Sequence, residues 1–97
     1  MVYHIIGYRW CHFFQAACSD FVQANIPFVK HVVIEKSDLL SEISNLCENV
    51  TFTGSNGTTS PQIFRKMNGA IFCVGGYDDL CSIGIENLSS YPESLSF

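Results

Sequence analysis

The feature that most constrains this 97-residue chain is that its apolar runs are joined in two different ways. Val2 to Gly7 is a short apolar run of strand length ending in glycine. Phe28 to Glu35 is a second, β-branched run carrying Val29, Val32, Val33 and Ile34. Between them, His12 to Asn25 repeats its apolar residues with helical period, placing Phe14, Ala17, Cys18, Phe21 and Val22 on one stripe. Strand, helix and strand in that order predict two parallel strands with a right-handed crossover. Further on, Gln62 to Lys66 and Ala70 to Val74 are separated by Asn68-Gly69, a strong hairpin signal. That pair has to be antiparallel. Ninety-seven residues supply one core, not two, so both pairs belong to one mixed sheet.

The rest of the chain fills in around that sheet. Asn25-Ile26-Pro27 closes the first helix. Ser37 reads as the N-cap of a second helix, with Asp38 in its first turn and Leu39, Leu40, Ile43 and Leu46-Cys47 on its buried side. Val50 to Thr59, rich in Thr, Gly, Ser and Asn, reads as a loop. A last helix is expected from Tyr77 to Asn87, weakened by Gly84 by roughly 1 kcal/mol relative to alanine. The order is β-α-β-α-β-β-α. The expected fold is α/β: a four-stranded mixed sheet flanked by helices, of the thioredoxin-like kind. Residues 1–88 are expected to form the domain and 89–97 a C-terminal tail.

Charge and composition narrow the function classes. The net charge is −4, and the basic residues are only Arg9, Lys30, Lys36, Arg65 and Lys66. A general nucleic-acid binder needs clustered cations, so nucleic acid is not an expected partner. No apolar run approaches the roughly 20 residues of a membrane span, so membrane insertion is not expected either. The first residues do not read as a signal peptide, and Arg9 interrupts them. The cysteines are Cys11, Cys18, Cys47, Cys73 and Cys81. An odd number fits a reducing compartment, and a cytoplasmic location is the expectation. For all but Cys11, the ordinary role is a small buried apolar residue.

Cys11 stands where the first strand hands over to the first helix. Unpaired backbone N–H groups and the positive end of the helix dipole favour thiolate over thiol there, and the thiolate is the species that attacks disulfides. Arg9 lies close in sequence. His12 reads as a solvated first-turn residue. Cys18 lies seven residues on, a rise of about 10.5 Å in an intact helix. A disulfide needs Cα atoms within about 7 Å, so Cys18 is excluded as a partner for Cys11. Cys47, Cys73 and Cys81 stay open. Two other segments bear on the same chemistry. Ser60-Pro61 is either a strand-initiating proline or a special backbone presentation. Gly75-Gly76-Tyr77-Asp78-Asp79 is either ordinary capping by two acids or a receptor for charged groups.

Taken together, Cys11-His12-Phe13-Phe14, Thr59-Ser60-Pro61-Gln62 and Gly75-Gly76-Tyr77-Asp78-Asp79 resemble the glutaredoxin family. Its usual text is Cys-Pro-Tyr-Cys, then Thr-Val-Pro-Gln, then Gly-Gly-x-Asp-Asp. The likeness spans nearly the whole chain in order. It implies a thiol–disulfide oxidoreductase that uses glutathione. Cys11 would be the catalytic residue, with glutathione bound by Arg9, Phe13, Thr59, Ser60, Pro61, Gly76, Tyr77, Asp78 and Asp79, and no metal. It also implies a cis peptide at Ser60-Pro61. The second active-site cysteine is replaced by Phe14, which leaves a monothiol route that borrows its second thiol from glutathione. In the family a basic residue, usually lysine, often stands three before the cysteine; here Tyr8 holds that place and the charge is at Arg9.

The resemblance implies glutathionylated or disulfide-bonded proteins as partners, with ribonucleotide reductase among the candidates, and a monomer as the working form. Two rival functions follow from the departures. One is a glutathione-assisted iron–sulfur cluster shared between two copies, as in relatives with a Cys-Gly-Phe-Ser site. The bulk of His12 and Phe14 argues against it. The other is a non-catalytic binding module on the same fold.

Overall fold

The computed structural model describes residues 2–46, 60–67 and 70–90. The expected loop at 50–59, Cys47, the Asn68-Gly69 turn and most of the C-terminal tail lie outside the described residues. The elements are β1 (Val2–Tyr8), α1 (His12–Gln23), β2 (Phe28–Val33), α2 (Lys36–Leu46), β3 (Gln62–Met67), β4 (Ala70–Gly75), α3 (Tyr77–Ile83) and a 3₁₀ segment, Ile85–Ser90. The strands form one sheet in the order β2-β1-β3-β4. β1 runs parallel to β2, with Tyr3 opposite Phe28 and Tyr8 opposite Val33. β1 and β3 are antiparallel, as are β3 and β4, with an irregularity at Ile63/Phe64. This is the mixed, helix-flanked sheet that the crossover and the hairpin require.

Alternation along β1 splits the apolar residues between two faces. Tyr3 and Ile5 pack with Phe14, Ala17, Cys18 and Phe21 of α1, and with Ile63, Val74, Leu80 and Leu88. Ile6 points the other way, to Val33, Phe64, and Leu39 and Ile43 of α2. The Tyr3 hydroxyl donates to the Leu88 carbonyl at 3.2 Å, tying the 3₁₀ segment to the first strand.

α1 ends as its sequence announces, two residues earlier than the apolar pattern implied. Asn25 takes φ +59°, its N–H donates to the Val22 carbonyl, and Ile26 N–H donates to the Phe21 carbonyl. This paired arrangement is the Schellman stop, and its apolar contact comes from Ile26 packing on the core that contains Phe21.

Several expectations are corrected. β2 stops at Val33, leaving Ile34 outside it and exposed. β2 is an edge strand, which explains why Val29 and Val32 are exposed as well. Ser37 is not the N-cap of α2. Leu39 N–H donates to the Glu35 carbonyl, and Asp38 Oδ2 accepts from Glu35 N–H at 3.3 Å, so the cap lies at Glu35. Leu40 faces solvent, because among the described side chains of α2 it is Leu39 and Ile43 that fall on the stripe that meets the sheet. α3 ends at Ile83, not Asn87. Gly84 adopts φ +83° and its N–H donates to the Leu80 carbonyl, which closes the α-helix and starts the 3₁₀ segment. Of the cysteines expected to be buried, Cys18 is, while Cys73 and Cys81 are exposed on β4 and α3.

Phe14 is 1% exposed and depends on a glycine. A Cβ built on Gly7 would overlap the Phe14 ring at Cδ1, Cγ and Cβ. The close approach of β1 to α1 therefore needs hydrogen at position 7. Gly7→Ala is expected to lower stability by about 1–3 kcal/mol through overpacking, measured by urea denaturation. A change below about 0.5 kcal/mol, the range of a neutral surface substitution, would contradict this packing.

Candidate functional site

Cys11 is the N-cap residue of α1, with extended backbone (φ −80°, ψ 120°), and its side chain makes no capping hydrogen bond. It is partly exposed. Its thiol instead reaches the Ser60 carbonyl, with sulfur to oxygen at 3.6 Å. Ser60 is held in turn by the end of β1: Tyr8 N–H donates to Ser60 Oγ at 3.0 Å. Cys11 N–H donates to the Tyr8 carbonyl at 3.0 Å. Cys11, Tyr8 and Ser60 thus close a ring of three hydrogen bonds across residues far apart in sequence. The Ser60-Pro61 peptide is cis.

The glycine segment lies against the same place. A Cβ on Gly76 would sit 3.5 Å from the Pro61 carbonyl oxygen, in ordinary contact. Ile63 opposite Gly75 in the β3–β4 pairing brings this about. The two acids of the segment have different lives. Asp79 Oδ2 accepts from Gly76 N–H at 2.9 Å, closing the start of α3. Its carboxylate folds back over Gly75, which takes φ +113° and has no room for a Cβ beside it. Asp78 is exposed and makes no side-chain hydrogen bond among the described residues.

Two aromatic pairs include residues next to Cys11 in sequence. Phe13 is 58% exposed, and its ring centroid lies 5.7 Å from that of Tyr77. The Tyr77 hydroxyl donates to Asp20 Oδ2 at 3.3 Å, bridging α3 to α1. The Asp20 carboxylate, followed by the Cys81 thiol, holds the Tyr77 phenol above its usual range. Trp10, 65% exposed, stacks on Tyr8 with centroids 5.0 Å apart and planes 1° apart. Arg9 N–H donates to the Val33 carbonyl, its own carbonyl accepts from Gln15 Nε2, and its side chain is exposed.

The structure therefore gathers Cys11, Ser60, Pro61 and Gly76 at one place, with Phe13 beside Tyr77 and Asp78 exposed at the start of α3. Thr59 lies outside the described residues. His12 is exposed, as a first-turn residue should be. The steric objection raised for Phe14 is corrected: its ring is in the core and adds no bulk at the Cys11 surface. Burial pushes the Cys18 thiol up, with Lys30 opposing. Cys73 is also pushed up, first by partial burial of its sulfur and then by Asp79, while a hydrogen bond from the Gly75 backbone opposes. Sequence reading missed Gly7, Tyr8 and Asp20. Ser60 carried one available signal, because a hydroxyl stands where the resembled text has valine. Tyr77 and Asp20 are 57 residues apart and carried none.

No family model matches the chain, and no curated protein does. Among solved structures, the chain is similar to glutaredoxin 1 from Francisella tularensis, crystallised as a complex with cacodylate. The identity is 23%, the likeness covers 91% of this chain and 96% of that one, and the TM-score is 0.63. The chain has the thioredoxin-like α/β fold of that glutaredoxin.

The separate roles of the two acids can be tested without any ligand. Asp79→Ala is expected to cost about 1 kcal/mol, as the loss of a helix cap does. Asp78→Ala should stay within about 0.5 kcal/mol of the parent. Equal losses in thermal or urea unfolding would mean that the two carboxylates share one structural role.

Proposed function

We propose that the protein is a glutathione-dependent thiol–disulfide oxidoreductase working through Cys11 alone. The observation that carries this reading is the Cys11 thiol at a helix N-cap, 3.6 Å from the backbone carbonyl that precedes cis-Pro61. The position that would hold a second thiol is Phe14, which is buried in the core. Disulfide exchange through a local pair is closed, and exchange with an external thiol is open.

The residues present fit glutathione. The groups that would receive it are a partly exposed sulfur, the Ser60 backbone beside it and the exposed Asp78 carboxylate at the start of α3. In this reading the Cys11 thiolate attacks the glutathionyl sulfur of a mixed disulfide. The Cys11–glutathione bond forms, the old S–S bond breaks, and the substrate leaves as a thiolate that takes a proton. A second glutathione thiolate then attacks the glutathionyl sulfur on Cys11. Glutathione disulfide leaves and the Cys11 thiolate returns, so the substrate is reduced and glutathione is oxidised. Backbone groups at Thr59, Ser60 and Pro61 pair with the cysteinyl part of glutathione, as an added strand pairs with an edge. Gly76, Tyr77, Asp78 and Asp79 stand at the γ-glutamyl end, where Asp78 offers its carboxylate to the ammonium. Phe13 borders the groove, and Arg9 supplies positive charge near the thiol. The substrates are glutathionylated or disulfide-bonded proteins, with ribonucleotide reductase one candidate, and the protein acts as a monomer in the cytoplasm.

Cluster sharing between two copies is the rival, since Phe14 no longer obstructs it. Anaerobic reconstitution with iron, sulfide and glutathione separates the two. A visible chromophore that vanishes in Cys11→Ser would favour the rival.

The direct test is mass spectrometry after treatment with oxidised glutathione. One glutathione adduct is expected, on Cys11, and none on that site in Cys11→Ser. Loss of two hydrogens localised to Cys11 and Cys18 would contradict the monothiol route. Asp78→Ala is expected to lower kcat/KM for a glutathionylated peptide by about fivefold to a hundredfold, the weight of one charge-assisted hydrogen bond. The rate with a disulfide lacking glutathione should be unchanged. Equal loss on both substrates would remove Asp78 from glutathione recognition.

A further inference from the structure

On the α2 face of the sheet, three titratable side chains from three elements form a hydrogen-bonded chain. His4 Nδ1 of β1 lies 2.9 Å from His31 Nε2 of β2. His31 Nδ1 lies 3.3 Å from Glu42 Oε2 of α2. The two imidazole centroids are 5.2 Å apart with planes tilted by 33°. Glu42 faces the far nitrogen of His31, so the three groups do not converge on one point. That is the geometry of a relay, not of a metal site. The other charge acting on His4 is Lys66 of β3.

The number of protons the chain can hold follows from the atoms. With both rings neutral, His31 donates from Nδ1 to Glu42, and its Nε2 accepts from His4 Nδ1–H. With one proton added, His31 is a cation that donates from both nitrogens, and His4 accepts at Nδ1 through its other tautomer. Both states keep the chain whole. A second proton places an N–H on each of the two facing nitrogens, and the bond between the rings is lost.

We propose that His4, His31 and Glu42 are an acid-sensitive latch that fastens edge strand β2 and helix α2 to β1, intact with zero or one proton and opened by the second. β2 has a strand partner on one side only among the described residues. The polar chain ties this edge to β1 and α2 beside the backbone pairing of β2 with β1 and the core contacts of Val33, Leu39 and Ile43. Burial of His4, then the His31 and Lys66 charges, hold its imidazole below the ordinary value of 6.5. The opened form therefore binds the second proton more readily than the closed form. The latch is complete above that value and is lost as pH falls from it toward the lowered one. The latch stands apart from Cys11 and does not depend on the proposed thiol chemistry.

The test follows two signals between about pH 7.5 and about pH 4.5, the span in which imidazoles titrate. These are the ring ¹⁵N shifts of His4 and His31, and amide-exchange protection in α2 relative to α1. In the parent protein the His4 ring should titrate below the ordinary value. Protection of α2 should fall by up to about tenfold per pH unit as His4 titrates, as uptake of one proton on opening requires. His4→Gln keeps a neutral hydrogen-bonding group and should flatten that decline. His4 titrating at the ordinary value would overturn the proposal on the parent protein alone. An α2 profile unchanged in His4→Gln would overturn it as well.

Discussion

The hydrogen-bonded ring of Cys11, Tyr8 and Ser60 is the constraint around which the rest of the site is arranged. Each member comes from a place fixed by something else. Tyr8 ends β1, which pairs with β2 on one side and β3 on the other. Ser60 leads into Pro61 and then β3, whose antiparallel register against β1 brings it alongside Tyr8. Cys11 opens α1, whose depth against the sheet is set by Phe14 and by the hydrogen at Gly7. The thiol is thus held near a backbone carbonyl by the sheet, not by the helix that carries it. Its sulfur is left uncommitted to capping, and the first-turn amides of α1 remain available to a negative charge formed there.

Phe14, which stands where the resembled text has a second cysteine, is a packing residue. Phe14 fills the core between α1 and β1, and full burial of such a ring contributes about 1.5–3 kcal/mol. The same sheet keeps its two faces chemically distinct. Cys11, α1 and α3 share one side. The His4, His31 and Glu42 chain and α2 share the other, and the strands contribute side chains to both.

Much of the fold was legible because its signals are local. The helical stripe of α1, the β-branched text of β2 and the Asn68-Gly69 hairpin dictate a mixed sheet whatever the details. The boundaries that failed were settled by nonlocal facts. Ile34 lay outside β2, and Val29 and Val32 exposed, because β2 is an edge, and strand order is not written in any one segment. Leu40 faced solvent because the stripe of α2 is narrower than its apolar content. Gly84 and Asp38 each carried a local signal, and each acted one step away from the expected place: Gly84 stopped α3 outright, and Asp38 moved the cap to Glu35. At the site, Cys11, Ser60-Pro61 and the glycine pair were readable as motifs. The division of labour between Asp78 and Asp79 was not, since it turns on which carboxylate reaches Gly76. Tyr8, Gly7 and Asp20 act through contacts that only the folded chain creates.

The proposed reactivity of Cys11 comes from where the fold holds it. Limited alkylation of the native protein near neutral pH, followed by peptide mapping, tests it most directly. Cys18 is slowed by burial and Cys73 by partial burial and Asp79, so Cys11 is expected to be labelled first, ahead of the exposed Cys81. Preferential labelling of Cys81 or Cys47, with Cys11 left unmodified, would contradict the assignment.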